Sequence, residues 1–132
     1  MTCFVWRGMR ARAIAKLFMA LDRITLTDFR NHTATELEKT ARFNLLVGEN
    51  GAGKTNILEA LSLLAPGRGL RRAALADMVR NGSEAGFGIG ASLAQKDEAV
   101  RLGTYSESAS PGRRRVRING AESSAAALGE WL

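Results

Sequence analysis

The sequence has very few residues that could cross-link it or hold a metal cluster. Its 132 residues include one cysteine, Cys3, and one histidine, His32. A single cysteine excludes an internal disulfide framework, and these two residues are too few for a structural zinc site. No apolar run approaches the ~18–20 residues that a membrane-spanning helix needs. We therefore expect a cytoplasmic protein with one small hydrophobic core and no membrane partner.

Acidic residues are scarce or absent in three stretches that are rich in arginine. Residues 1–21 and 111–120 contain no acid, and residues 66–80 contain only Asp77. The net charge of the whole chain is +6. Such clusters favour an anionic partner, and nucleic acid is the commonest large one. A solvated surface or a flexible arm explains any single cluster equally well.

The first 18 residues do not resemble the rest of the sequence. Arginines interrupt the apolar run that a secretory signal needs, and the serines typical of a mitochondrial transit peptide do not occur before Ser62. The patterned sequence begins just after Met19. We therefore interpret residues 1–18 as an upstream extension and place the domain at residues 19–132.

Alternating apolar residues, bounded by turn signals, predict five strands. They lie at residues 23–29, 33–38, 85–94, 99–105 and 115–118. Asn119-Gly120 follows the last of them and is the strongest short signal for a hairpin turn.

Helical spacing is present in three other segments. From Lys54 onward, apolar residues recur with a helical period, and Pro66-Gly67 ends this helix. Residues 73–80 predict a second, short helix. Ser123 is a candidate N-cap for a third helix near the end of the sequence.

The segment at residues 43–47, Phe-Asn-Leu-Leu-Val, is nearly all apolar. A short unbroken run of this kind is typical of a strand that is buried on both faces, in a sheet covered by helices. We therefore predict a buried strand that ends at Gly48.

The next segment, Gly48-Glu49-Asn50-Gly51-Ala52-Gly53-Lys54-Thr55, fits the pattern G-x-x-x-x-G-K-[ST] of a phosphate-binding P-loop. Glycines let successive backbone N–H groups converge on phosphate oxygens, and the helix that follows directs its positive end to the same place. Lys54 adds charge for the β- and γ-phosphates, and the Thr55 hydroxyl is a ligand for Mg²⁺. The sequence therefore predicts binding of ATP with Mg²⁺.

Residues on both sides of this loop resemble the RecF family of DNA repair ATPases. Residues 26–32, Leu-Thr-Asp-Phe-Arg-Asn-His, resemble its L-x-x-F-R-N-Y opening, with histidine in place of tyrosine. Residues 43–60 resemble its P-loop block, in which the ending N-x-L-E-A is shared with SMC and Rad50 heads. Residues 67–73 resemble its G-R-x-x-R segment, and residues 116–120 its later R-I-D/N-G hairpin. The resemblance runs in order from residue 21 to 132.

The resemblance implies an α/β fold, namely the first lobe of an ABC-type P-loop ATPase head with an added antiparallel β subdomain. It implies a nucleotide site formed by Gly48, Glu49, Asn50, Gly51, Ala52, Gly53, Lys54, Thr55, Asn56 and Arg30. A salt bridge at the end of a strand is an equally good explanation of Arg30. His32 is expected to be a surface or packing residue.

The resemblance also implies partners. Members of the family bind ATP between two heads, so ATP would drive a homodimer, and they bind DNA at junctions of single and double strands together with RecO and RecR, which act on RecA. The DNA-binding candidates are Arg68, Arg71, Arg72, Arg113, Arg114 and Arg115. The sequence shows no Walker B strand and no signature loop, so we expect this chain alone to bind ATP without hydrolysing it.

Two other interpretations stay open. The first is another head of the same clan, SMC-like or Rad50-like, which coiled-coil heptads beyond residue 132 would indicate. The second is a nucleotide- or DNA-binding module without catalysis.

Overall fold

The computed structural model describes residues 20–40, 44–95 and 98–132. The predicted extension at residues 1–18, with Cys3 and the first basic cluster, lies outside these residues. No helix in the described part of the chain is long and apolar enough to cross a membrane.

Six strands form one antiparallel sheet within the described residues. They are β1 (Ala20–Phe29), β2 (His32–Glu38), β3 (Gly86–Gln95), β4 (Glu98–Glu107), β5 (Arg115–Ile118) and β6 (Ala121–Ser123). Their order in the sheet is β2-β1-β3-β4-β5-β6. Each pair of neighbouring strands is consecutive in the chain, except the pair β1 and β3. In that pair, Leu26 lies opposite Ile89. The five predicted strands and the antiparallel subdomain are confirmed.

The hairpin between β5 and β6 follows from its two turn residues. Asn119 and Gly120 have φ angles of 51° and 83°. A type I′ turn needs positive φ at both central positions, which asparagine and glycine tolerate best. The predicted hairpin is therefore confirmed.

The segment between β2 and β3 carries the glycine-rich loop and helix α1 (Lys54–Ser62), followed by a short 3₁₀ helix (Leu75–Met78). The apolar face of α1, with Ile57 and Ala60, belongs to the same core as Leu26 and Ile89 of the sheet. Burying this face fixes the helix on one side of the sheet. The N terminus of α1 then lies beside the turn between β1 and β2.

The prediction of a buried strand at residues 43–47 is wrong for the residues that the structure describes. Residues 44–47 form no strand. The side chains of Leu45 and Val47 are 51% and 82% exposed. A strand buried on both faces needs a strand to pair with and helices to cover it. The six-stranded sheet described here does not include these residues.

Two helix predictions also need correction. The helix predicted at residues 73–80 is observed only as the 3₁₀ helix Leu75–Met78. The chain leaves the helical conformation after Met78 because Arg80 N donates a hydrogen bond of 2.7 Å to Asp28 O at the end of β1. The last helix is the 3₁₀ helix Ala126–Glu130. Ser123 belongs to β6, and Ser124 accepts the hydrogen bond from Ala127 N instead, at 3.3 Å.

Candidate nucleotide-binding site

The glycine-rich loop turns sharply into the first turn of α1. Gly51 and Gly53 have φ angles of 85° and 99°, which side chains other than glycine rarely adopt. The Gly53 carbonyl accepts the first helical hydrogen bond from Ile57 N at 3.1 Å. The backbone N–H groups at the start of α1 have no helical partner, so this end of the helix attracts anions.

A cleft of about 280 Å³ lies at this N terminus. Its walls are Asn50, Gly51, Gly53, Lys54, Thr55, Asn56 and Arg71. Two of these residues carry a positive charge and none is acidic. The Lys54 ammonium donates to the Gly48 carbonyl, and the Thr55 side chain is exposed. This combination of backbone donors, cations and a hydroxyl fits a polyphosphate with its metal ion.

A second cavity of about 260 Å³ lies on the outer face of the sheet. It is lined mainly by threonines and glycines of β1, β3 and β4, with Arg117 as its one charged residue. No helix begins at this cavity, and it lacks the run of backbone donors that phosphate binding needs. The phosphate chemistry therefore favours the cleft at α1.

The turn between β1 and β2 holds the loop from the side. Asn31 Nδ2 donates to the Gly51 carbonyl at 3.4 Å, and Asn31 Oδ1 accepts from Asn56 Nδ2 at 2.8 Å. His32 Nε2 lies 3.1 Å from the Gly53 carbonyl. Asn31 and His32, at the junction of β1 and β2, therefore contact the backbone carbonyls of Gly51 and Gly53 in the loop.

Arg30 lies behind the cleft in a group of three charges. Its Nε and Nη2 atoms both donate to the carboxylate of Glu59 at 2.9 Å. Arg71 Nη1 reaches the same carboxylate at 3.3 Å and Asn56 Oδ1 at 3.1 Å. Because the Arg30 guanidinium donates these hydrogen bonds to the Glu59 carboxylate, the pKa of Arg30 is raised above its usual value. Arg30 does not line the cleft, so the salt bridge at the strand end is the role observed for it.

The DNA-binding candidates do not form one uniform group. Arg71 lines the cleft at the N terminus of α1, and its guanidinium forms an ion pair with the fully buried Glu59. Arg115 lies 3.3 Å from Glu122 and 3.8 Å from Glu107. Both guanidinium groups thus have acidic partners outside their own arginine clusters, which the clusters alone did not show.

Arg114 has a structural role at the end of α1. Its guanidinium donates to the carbonyls of Leu63, Ala65 and Gly67, and to Thr104 Oγ1 at 2.8 Å. The last carbonyls of a helix have no partner within the helix, and a cation there is favourable. Burial lowers the pKa of Arg114. The side chain joins α1 to the sheet and is not directed to an external ligand.

The remaining candidates are on the surface. Arg68, Arg72 and Arg113 are exposed and take part in no ion pair formed among the described residues. Arg68 and Arg113 flank the contact between Arg114 and the Gly67 carbonyl, because Arg113 precedes one partner and Arg68 follows the other.

Comparison with known proteins places this arrangement in a family. Residues 20–131 match the family described as RecF/RecN/SMC N terminal domain. The chain belongs to this family. The RecF resemblance of the sequence is confirmed.

Individual RecF proteins are similar to this chain in sequence. The chain is 49% identical over 114 residues to the DNA replication and repair protein RecF of Mesorhizobium japonicum, and 49% identical over 109 residues to that of Rhizobium leguminosarum bv. trifolii. These matches cover 85% and 82% of this chain, but only 30% and 29% of the relatives. The chain thus spans less than a third of their length.

Solved structures give the same answer for the fold. A structure of the recombination mediator RecF with ATP, in the RecFOR pathway, has a TM-score of 0.72 at 28% identity and covers 86% of this chain and 30% of its own. The SMC head domain of Thermotoga maritima has a TM-score of 0.66 at 20% identity and covers 80% of this chain and 39% of its own. The expected ATPase head lobe is confirmed.

The sequence pattern predicted the loop but not the contacts of Asn31 and His32 with it. It assigned His32 to the surface or to packing, and it gave Asn31 no role. Both lie close to Arg30 in the sequence, at the junction of β1 and β2, and this proximity was the available signal. It could not show which loop atoms they reach, since Gly51 and Gly53 lie about 20 residues away in the sequence.

Proposed function

We propose that this chain binds ATP with Mg²⁺ at the glycine-rich loop, as part of a RecF-like DNA repair protein. One observation carries the proposal: the loop, Lys54 and Thr55 meet in a single cleft at the N terminus of α1. The similarity to a RecF structure with ATP supports it.

Each part of the cleft has a chemical task in this proposal. The amides of residues 51–55 donate to phosphate oxygens, and Lys54 exchanges the Gly48 carbonyl for a phosphate. The Thr55 hydroxyl ligates Mg²⁺, which neutralises part of the phosphate charge. Asn56 and Arg71 form the wall nearest to Glu59.

Titration of the full chain with a fluorescent ATP analogue and Mg²⁺ tests the proposal. We expect saturable binding that ATP displaces and adenosine displaces at least about tenfold less well, because phosphate contacts of roughly 1.5–3 kcal/mol each are missing from adenosine. Equal displacement by adenosine would show that the phosphate cleft is not the site.

We further propose DNA as the macromolecular partner. The proposal rests on the exposed side chains of Arg68, Arg72 and Arg113, of which Arg68 and Arg113 adjoin the contact between the Gly67 carbonyl and Arg114. Arginines that are free of internal partners can replace the counterions of phosphate groups, which gives binding without sequence preference. The RecF relatives, named as replication and repair proteins, agree with this partner.

Substituting both Arg68 and Arg72 with alanine is expected to weaken DNA binding and to reduce the slope of log K against log salt by about 1.8, or about 0.9 for each lost phosphate contact. A salt titration with duplex DNA measures this slope. Arg114→Met is the matched control. It should lower the melting temperature, because the carbonyls that follow α1 lose their donor, and leave the slope unchanged. The reverse pattern would exclude Arg68 and Arg72 as DNA contacts.

The finer assignments rest on the resemblance to RecF alone. We propose that the complete protein acts in the cytoplasm as an ATP-dependent homodimer at junctions of single- and double-stranded DNA. RecO and RecR are the proposed protein partners, and RecA the indirect one.

A further inference from the structure

His32 contacts the loop through a buried side chain. It is the first residue of β2 and is 9% exposed. Its Nδ1 lies 2.8 Å from Thr35 Oγ1, and its Nε2 lies 3.1 Å from the Gly53 carbonyl. Because a carbonyl oxygen only accepts hydrogen bonds, Nε2 must be the donor. The Thr35 hydroxyl holds the other side of the ring, so the imidazole has one fixed orientation.

The Gly53 carbonyl is held by two donors. Ile57 N donates to it from within α1 at 3.1 Å, and His32 donates from outside the helix. This carbonyl shares a planar trans peptide unit with the N–H of Lys54, so the two groups point in opposite directions. Fixing the carbonyl therefore fixes the Lys54 N–H, which is directed away from the helix and toward the phosphate cleft.

The side chains of Asn31 and His32 pack closely against the Gly53 backbone. A Cβ atom on Gly53 would lie 2.6 Å from His32 Nε2 and 2.6 Å from Asn31 Oδ1. The backbone of Gly53 is thus seated directly against both side chains. Without the His32 donor, the peptide unit would be held on one side only, at a residue whose φ of 99° already depends on glycine.

We propose that His32 is a positioning residue for the phosphate site: by holding the Gly53 carbonyl, it aims the Lys54 amide at the phosphates of the nucleotide. This role rests on the proposed ATP binding. It assigns to the β1–β2 turn a share in nucleotide affinity, although His32 does not line the cleft.

Two substitutions separate positioning from mere packing. His32→Leu keeps an apolar body and removes the donor, while His32→Gln places an amide N–H close to the position of Nε2. With the fluorescent ATP analogue and the full chain, we expect His32→Leu to bind about tenfold more weakly, as for one lost hydrogen bond. His32→Gln should remain within about threefold of wild type, and Thr33→Ala, at the exposed neighbouring residue, should bind like wild type.

An NMR measurement tests the geometry without nucleotide. His32 is the only histidine of the chain, so a ring ¹⁵N–¹H signal belongs to it alone. We expect hydrogen on Nε2 and a Lys54 amide shift that changes in His32→Leu and is largely restored in His32→Gln.

The outcomes are distinguishable. If wild type binds nucleotide, Lys54→Ala loses it, and His32→Leu binds as wild type, the positioning role is overturned. It is overturned as well if the leucine and glutamine variants lose affinity equally. If Lys54→Ala leaves binding unchanged, the proposed ATP site itself fails.

Discussion

Lys54→Ala is expected to weaken ATP binding at least about tenfold while the chain stays folded. A hydrogen bond between charged groups contributes about 1.5–3 kcal/mol, which corresponds to roughly a tenfold to hundredfold change in affinity. Among the residues that the structure describes, the Lys54 ammonium donates a hydrogen bond to the Gly48 carbonyl at an exposed position. The apolar face of α1 remains in the core, so the melting temperature should shift by no more than about 2 °C.

The measurement is a titration with the fluorescent nucleotide alongside a thermal melt of the same samples. Arg101→Ala is the matched control, because it removes one positive charge from an exposed position on β4 and should bind nucleotide like wild type. A folded Lys54→Ala variant with wild-type affinity would rule out the loop as the nucleotide site.

Glu59→Gln is expected to lower the free energy of unfolding by about 3 kcal/mol. Glu59 is fully buried and accepts two hydrogen bonds from Arg30. Breaking a buried ion pair costs roughly 3–5 kcal/mol, because the remaining charge stays uncompensated. The side chains of Arg30 and Arg71 are 20% and 43% exposed, so water relieves part of this cost.

Denaturant unfolding monitored by circular dichroism measures the loss, and the melting temperature should fall by about 10 °C. Glu36→Gln is the matched control, since Glu36 pairs with Arg23 on the surface and such pairs contribute at most about 1 kcal/mol. Equal losses in the two variants would mean that burial of Glu59 adds nothing to its pairing.

Local patterns in the sequence predicted what depends on neighbouring residues. The strand alternation, the Asn119-Gly120 turn and the glycine-rich loop can each be recognised in a sequence window of about ten residues. In the structure, Gly51 and Gly53 of this loop have positive φ angles, which glycine tolerates best.

Features that depend on distant residues could not be predicted in this way. The sequence places Arg114 in a basic cluster, but its partners are carbonyls just beyond the end of α1, about 50 residues away. Arg71 likewise meets Glu59 only after the loop that follows α1 has folded back. Charge clusters in a sequence report composition, whereas the free charge on a surface depends on which arginines find buried acceptors.

The place of the glycine-rich loop in the sequence, between the paired strands β1 and β3, affects how the chain folds. The β3–β4 and β5–β6 hairpins close over a few residues, whereas β1 and β3 pair across about 60, and the glycine-rich loop and α1 lie inside that long closure. Closing it carries the larger entropic cost, so we expect the cleft to be completed late in folding. A ligand that binds a late-formed site slows unfolding and leaves the rate of folding nearly unchanged. Bound nucleotide should therefore lengthen the lifetime of the folded chain without helping it to form.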